Sequence, residues 1–271
     1  MKYSKNKAVA FVFLILLLVQ VSVPGFASAE KNAKVFNSML AMGYEVQVKL
    51  EKNKYWFRLG DNEWVLLKGD VLEGGGAVEV LFMDVNDNNI NDVFVKLFEA
   101  GANSLYALFV TTVRDGVVLF SFYGEVFGSP YLNGQGELTS VKHDGPFSRI
   151  EIYKGDRGEF YRSEFREAIN SDLERVTTYD QHGETNFAIS FLGTNIIADA
   201  CIISERAYLS RIPSSLGITK TYLVKGDRVV VLDSTGDGNW LKVRYLGKIV
   251  TEAWVSQEML SFSAVDHCGE R

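Results

Sequence analysis

The chain of 271 residues carries 28 Lys and Arg against 34 Asp and Glu, a net charge of −6, with three histidines and two cysteines. An acidic balance argues against nucleic acid and anionic lipid, both of which reward basic patches, and suits a basic partner better. No H-E-x-x-H, C-x-x-C, G-x-S-x-G or P-loop spacing occurs. The three histidines, His143, His182 and His267, lie in polar turns or the tail, and no pair of acids stands out for glycoside cleavage. The expectation is a protein that is not an enzyme.

Residues 1–29 read as a secretory signal peptide. Lys2, Lys5 and Lys7 form the positive start, Ala8 to Val23 are apolar apart from Gln20 and Ser22, and Ala27-Ser28-Ala29 is an A-x-A cleavage site. Retention as an anchor is the alternative. Cleavage removes three positive charges, taking the net charge from −6 to −9, and predicts a periplasmic or secreted protein with no membrane contact afterwards. In an oxidising compartment the two cysteines, Cys201 and Cys268, are expected to form a disulfide. Two unpaired thiols are the alternative.

From Glu30 onward the strand signals are dense. "YEVQVKL", "KYWFRL", "AVEVLFM", "DVFVKLF", "LYALFVTTV", "VVLFSFYG" and "RIEIYKG" are short, rich in β-branched and aromatic residues, and closed by Gly, Asn or Asp. Two short helices are expected, over Lys31 to Ala41 and Tyr161 to Leu173, the second because Phe165, Ile169 and Leu173 recur at helical spacing. The predicted class is mainly β: an antiparallel β domain over 30–184, a linker over 185–200 and a small barrel over 201–271.

Between two of these strands lies "FMDVNDNNINDVFV". Asp84, Asn86 and Asn88 occupy the first, third and fifth places, Ile90 offers a carbonyl at the seventh and Asp92 a carboxylate at the ninth. Alternating oxygen donors wrap around one point, as a hard cation such as calcium requires. Asn89 sits at the sixth place, where a positive φ is needed and Asn is the best substitute for Gly. With two clear charges the affinity falls in the weak class, about 10⁻⁴ to 10⁻³ M. An Asx-rich turn without an ion would use the same residues. The spacing D-x-N-x-N-x-x-x-D resembles the short calcium loops of integrin-type β repeats.

Together, "VEVLFMDVNDNNINDVFV", "LYALFV" and "YLNGQGELTSVKHDGPFSRIEIYKGDRGEFY" resemble the Xanthomonas-type family of small periplasmic inhibitors. These block a lysozyme-like toxin delivered by type IV secretion. The matching parts are the calcium loop, Leu138-Thr139-Ser140, Asp144-Gly145, Tyr153 and the segment after Tyr161. The chain departs from the pattern with Asn89 in place of Gly and Phe147 where a Tyr is the norm. The resemblance implies an immunity factor or inhibitor whose loop from Lys142 to Arg149 enters the toxin's cleft, with Phe147 as anchor and Asp144 and Arg149 as polar contacts.

The C-terminal stretch "AYLSRIPSSLGITKTYLVKGDRVVVLDSTGDGNWLKVRYLGKIVTEAWVSQEML" resembles a bacterial SH3-type domain, which is not part of the minimal inhibitor family. This resemblance implies a second role, binding of peptidoglycan or a peptide, over a surface of Tyr208, Tyr222, Trp240 and Trp254. It also implies chain ends close together, within reach of a Cys201–Cys268 bridge.

Overall fold

The structure is a computed structural model describing residues 34–39, 45–51, 54–61, 63–66, 79–114, 117–156, 158–262 and 268. The expected signal peptide, 1–29, lies outside the described residues. The fold is mainly β, with antiparallel sheets.

The first sheet runs in chain order through β1 (Lys34–Met39), β2 (Glu45–Glu51), β3 (Lys54–Leu59) and β4 (Val65–Leu66). The second does the same with β5 (Val80–Met83), β6 (Asp92–Ala100), β7 (Asn103–Arg114) and β8 (Val117–Gly128). A six-stranded sheet follows, from β9 (Tyr131–Leu132) through β10 (Leu138–Asp144), β11 (Phe147–Asp156), β12 (Glu159–Ala168) and β13 (Leu173–Asp180) to β14 (Gly183–Phe191). The last sheet takes β15 (Asp199–Ile202), β16 (Arg206–Ser210), β17 (Ile218–Val224), β18 (Arg228–Ser234), β19 (Trp240–Leu246), β20 (Val250–Ser256) and β21 (Leu260–Ser261). Its order is β17-β16-β20-β19-β18-β15-β21.

The chain divides into two compact units. Unit 1 takes the described residues up to Lys142 together with Ile152–Tyr161, and unit 2 takes His143–Glu151 and Arg162 onward. In unit 1, β6 is buried along Asp92 to Leu97, so both of its faces meet core. Val93, Val95 and Leu97 pack with Val48, Tyr55 and Phe109, while Phe94 packs with Leu108, Phe127 and Tyr153. A strand covered on both faces needs a near-continuous apolar run rather than alternation, which Val93-Phe94-Val95 and Leu97 supply around Lys96, whose ammonium pairs with Glu79 and Glu99. In unit 2, Leu173 and Ile189 share one core with Ala200, Val229, Leu241 and Val255.

Both expected helices are strands. Residues 34–39 of the first form β1, where Phe36 lies opposite Val48 of β2; the rest of that stretch lies outside the described residues. The second is split between β12 and β13. The helical spacing of Phe165, Ile169 and Leu173 arises because a turn falls between them: Asn170 Oδ1 accepts from the N–H groups of Asp172 and Leu173, both at 2.9 Å. Arg166 then reaches across to Glu174 at 2.7 Å, a cross-strand ion pair that a helix would forgo. The expected linker over 185–200 is also corrected. It holds β14, and Ala198 and Ala200 are fully buried in the unit 2 core. The small second domain therefore does not begin at 201; its core draws on residues from Leu173 onward.

Cys201 and Cys268 are joined in a disulfide, with Cα atoms 5.6 Å apart. Pairing of β15 with β21 sets Cys201 opposite Ser261 and Ile202 opposite Leu260.

Candidate functional site

The loop from Asp84 to Asp92 joins β5 to β6, and its backbone follows from its side chains. Asp84 accepts from Asn88 N at 3.3 Å and Asn89 N at 2.7 Å, and Asn88 Oδ1 accepts from Ile90 N at 2.7 Å. Asp87 and Asn89 both adopt positive φ, 56° and 61°. Positive φ at Asn89 is as the sequence requires; Asp87 adds a second such residue.

Asp92 is 0 % exposed. Its two oxygens accept from Val85 N at 2.9 Å and Thr111 N at 2.6 Å. Burial pushes its carboxyl up to about 7; these two hydrogen bonds oppose the rise and the nearby Asp84 carboxylate adds to it. No cationic side chain is paired with it among the described residues. Asn86 is also 0 % exposed, and neither its Oδ1 nor its Nδ2 has a hydrogen-bond partner. The Thr111 hydroxyl is likewise buried without one. A buried carboxylate without a counter-charge beside an unsatisfied amide is costly. A hard divalent cation would supply both the missing charge and a partner for the Asn86 oxygen, so these residues fit the ion the spacing predicts. Among the described residues no three of His, Cys, Asp and Glu cluster, so the donors would be two carboxylates supplemented by amide and carbonyl oxygens.

The end of strand β11 and the turn after it pack against the loop. Gly158 N donates to Asn86 O at 2.9 Å. A Cβ at Gly155 would stand 2.5 Å from Asn86 Cα and 2.7 Å from Val85 O, so only glycine fits. Gly155→Ala is expected to push the loop off β11 and cost about 1–3 kcal/mol, measured by urea unfolding. An unchanged midpoint would mean that the loop shifts freely.

In unit 2, Asp144, Phe147 and Arg149 stand together on a cleft of about 300 Å³. Its other walls are Glu167–Ile169, Arg175 and Ser234–Gly236. Arg149 bridges two carboxylates, Asp144 at 3.1 Å and Glu167 at 3.2 Å. Arg175 pairs with Asp233 and lies 5.2 Å over the Phe187 ring. Phe147 keeps 39 % of its surface exposed, too much for a core residue. Ser148 Oγ lies 3.0 Å from His143 Nδ1; both belong to one hairpin, and His143 is exposed.

On the last sheet Tyr208 and Tyr222 are opposite each other on β16 and β17, with ring centroids 5.8 Å apart and the Arg206 guanidinium 4.8 Å over Tyr222. Trp254 lies opposite Lys242 and Ser210 on the neighbouring strands. Trp240 and Trp254 are half-buried, and no ring contact joins either to the tyrosines among the described residues. The structure thus brings together two of the four aromatic residues that the SH3 resemblance implies.

No protein-family model, curated protein or solved structure matches this chain.

Several participants carry no sequence signal. Thr111 meets the 84–92 loop through strand pairing, and Glu167, Arg175 and Ser234–Gly236 reach the cleft from three different strands or loops. Gly155 could be suspected only as a glycine inside a strand pattern, which often marks a close backbone approach.

Proposed function

We propose that this chain is an exported, non-enzymatic binding protein: a periplasmic inhibitor or immunity factor against a cell-wall-degrading, lysozyme-like toxin. Calcium in the 84–92 loop would be a structural ion, supplying positive charge where Asp84 and Asp92 converge. The observation that carries the reading is the gathering of Asp144, Phe147 and Arg149 at one cleft, with an exposed ring set among paired charges. Recognition energy concentrates at such anchors. Phe147 would fill an apolar recess on the toxin, while Arg149, held between two carboxylates, offers its remaining N–H groups and Asp144 faces basic side chains of a sugar-binding cleft.

Co-expression with toxins encoded beside its gene tests this directly. Protection and binding are expected, and Phe147→Ala should weaken binding about 30-fold, the 2 kcal/mol typical of a hot spot, without moving the unfolding midpoint. Failure to protect against, or bind, every such toxin would sink the reading.

The exposed Tyr208–Tyr222 pair favours a second reading, an envelope protein binding peptidoglycan or peptide through its SH3-like sheet. Because the unit 2 core extends to Leu173, the full chain is the proper probe. Retention on purified peptidoglycan, abolished by Tyr222→Ala, together with no toxin binding, would favour it.

A further inference from the structure

The acidic charge of the chain is unevenly spread. Between Arg206 and Gly226 it holds Arg206, Arg211, Lys220 and Lys225, and no Asp or Glu. None of the four is ion-paired among the described residues. This stretch is β16, the loop over 211–217 and β17. Ala207 and Leu223 turn inward to the core, leaving Arg206, Tyr208, Tyr222, Lys220 and Ile218 on the solvent side.

The loop between these strands is stiff. Ser210 Oγ lies 2.6 Å from Ile212 O and 2.8 Å from Ser214 O, Arg211 N donates to Gly217 O at 3.1 Å, and Leu216 N donates to Ser214 Oγ at 3.2 Å. A Cβ at Gly217 would stand 2.5 Å from Ile212 Cγ1, so the turn closes tightly. At its tip Leu216 is 91 % exposed, flanked by Ile212 and Ile218, each about half exposed. Bound in this way, the loop cannot fold Leu216 back into the core.

We propose that this element docks the protein on an anionic lipid surface. Leu216, Ile212 and Ile218 enter the boundary between headgroups and acyl chains, Arg211 and Lys220 meet lipid phosphates, and Tyr208 and Tyr222 sit at headgroup depth, where an amphipathic ring is favoured. Charge complementarity selects the occupant together with shape. A convex aliphatic tip enters a fluid layer without needing a tailored pocket, whereas an anionic glycan would satisfy the basic residues and offer the aliphatic tip nothing. A second exposed tip, Leu246, Ile249 and Val250, has a single exposed cation outside an ion pair among the described residues, Lys248, and no tyrosine pair beside it, because Arg244 and Lys242 both pair with Glu252 and the facing tyrosines lie on β16 and β17. The whole-chain charge disfavours anionic lipid only as an average; the field that matters acts within a Debye length, about 10 Å.

The test is flotation of the full chain with vesicles of phosphatidylcholine alone or mixed with phosphatidylglycerol. Binding is expected to the mixed vesicles only, and to fall with salt. Each basic residue near such a surface contributes about five-fold, so Arg211→Glu with Lys220→Glu should reduce binding by more than about 25-fold. Leu216→Ser should reduce it about ten-fold or more, while Ile249→Ser, at a strongly exposed aliphatic of the other tip, should leave it unchanged. All four side chains are exposed, so an unchanged unfolding midpoint certifies each variant. The proposal is overturned by any of four results: no binding to mixed vesicles at low salt, equal binding to neutral ones, indifference to Leu216→Ser, or loss with Ile249→Ser. Capture by an anionic wall polymer without vesicle binding would overturn it too.

Discussion

In a chelator, unit 1 is expected to lose up to about 4 kcal/mol of stability as pH rises from about 4 to about 7. The Asp92 carboxyl rises from 3.8 to about 7 on folding. Between those values the folded chain holds a proton that the unfolded chain has released, so raising the pH favours unfolding. The contribution is whole below about 4 and gone once the pH passes the folded value. Calcium should oppose the loss, because an ion beside the carboxylate replaces the proton. Binding to the folded state alone adds about 1.4 kcal/mol at ten times Kd, and magnesium should add less because it resists dehydration. Hydrogen exchange on β6 peptides, with calcium or chelator across this pH range, reports the effect for unit 1. Asp84→Ala should abolish the calcium response, and Asp87→Ala should leave it, since the fourth place of the loop is not a donor position. Identical protection in calcium and chelator at neutral pH would reduce the loop to an Asx-rich turn. Stability that is flat or rising with pH in chelator would remove the buried-carboxylate argument itself.

Cys201→Ser should cost unit 2 about 4 kcal/mol. The bond closes a loop with a sequence separation of 67 residues, and the chain-entropy model assigns about that much to a loop of this size. The loss should reach beyond Cys201 to β13 and β14, because Leu173 and Ile189 share a core with Val229 and Leu241. Exchange in β6 should stay as it was. Equal loss of protection in β6 and β19 would show that the two units unfold as one.

Much of the molecule was legible from local chemistry. The β class followed from short β-branched and aromatic runs ended by Gly, Asn and Asp, because strand formation and turn formation both act over a few residues. The positive φ of Asn89 followed from its place in the loop. The disulfide followed from the chain's two cysteines and the oxidising compartment expected of it.

Partnership across the chain was not legible. Phe165, Ile169 and Leu173 carry a helical period and yet lie in two strands and a turn, because hydrogen bonding by Asn170 and the Arg166–Glu174 pair outweigh a period of three residues. Residues 185–200 look like a linker by composition, but small alanines at 198 and 200 fit where sheet packing leaves little room. Asp84 and Asp92 could be proposed as ligands from spacing alone. That Asp92 is wholly buried, tied to Thr111 and without a counter-charge among the described residues could not, since burial and dielectric are properties of the packed chain. The sequence by itself determined which residues can turn, pair and carry charge; the tertiary structure alone decided which of those charges face water and which are left unbalanced inside.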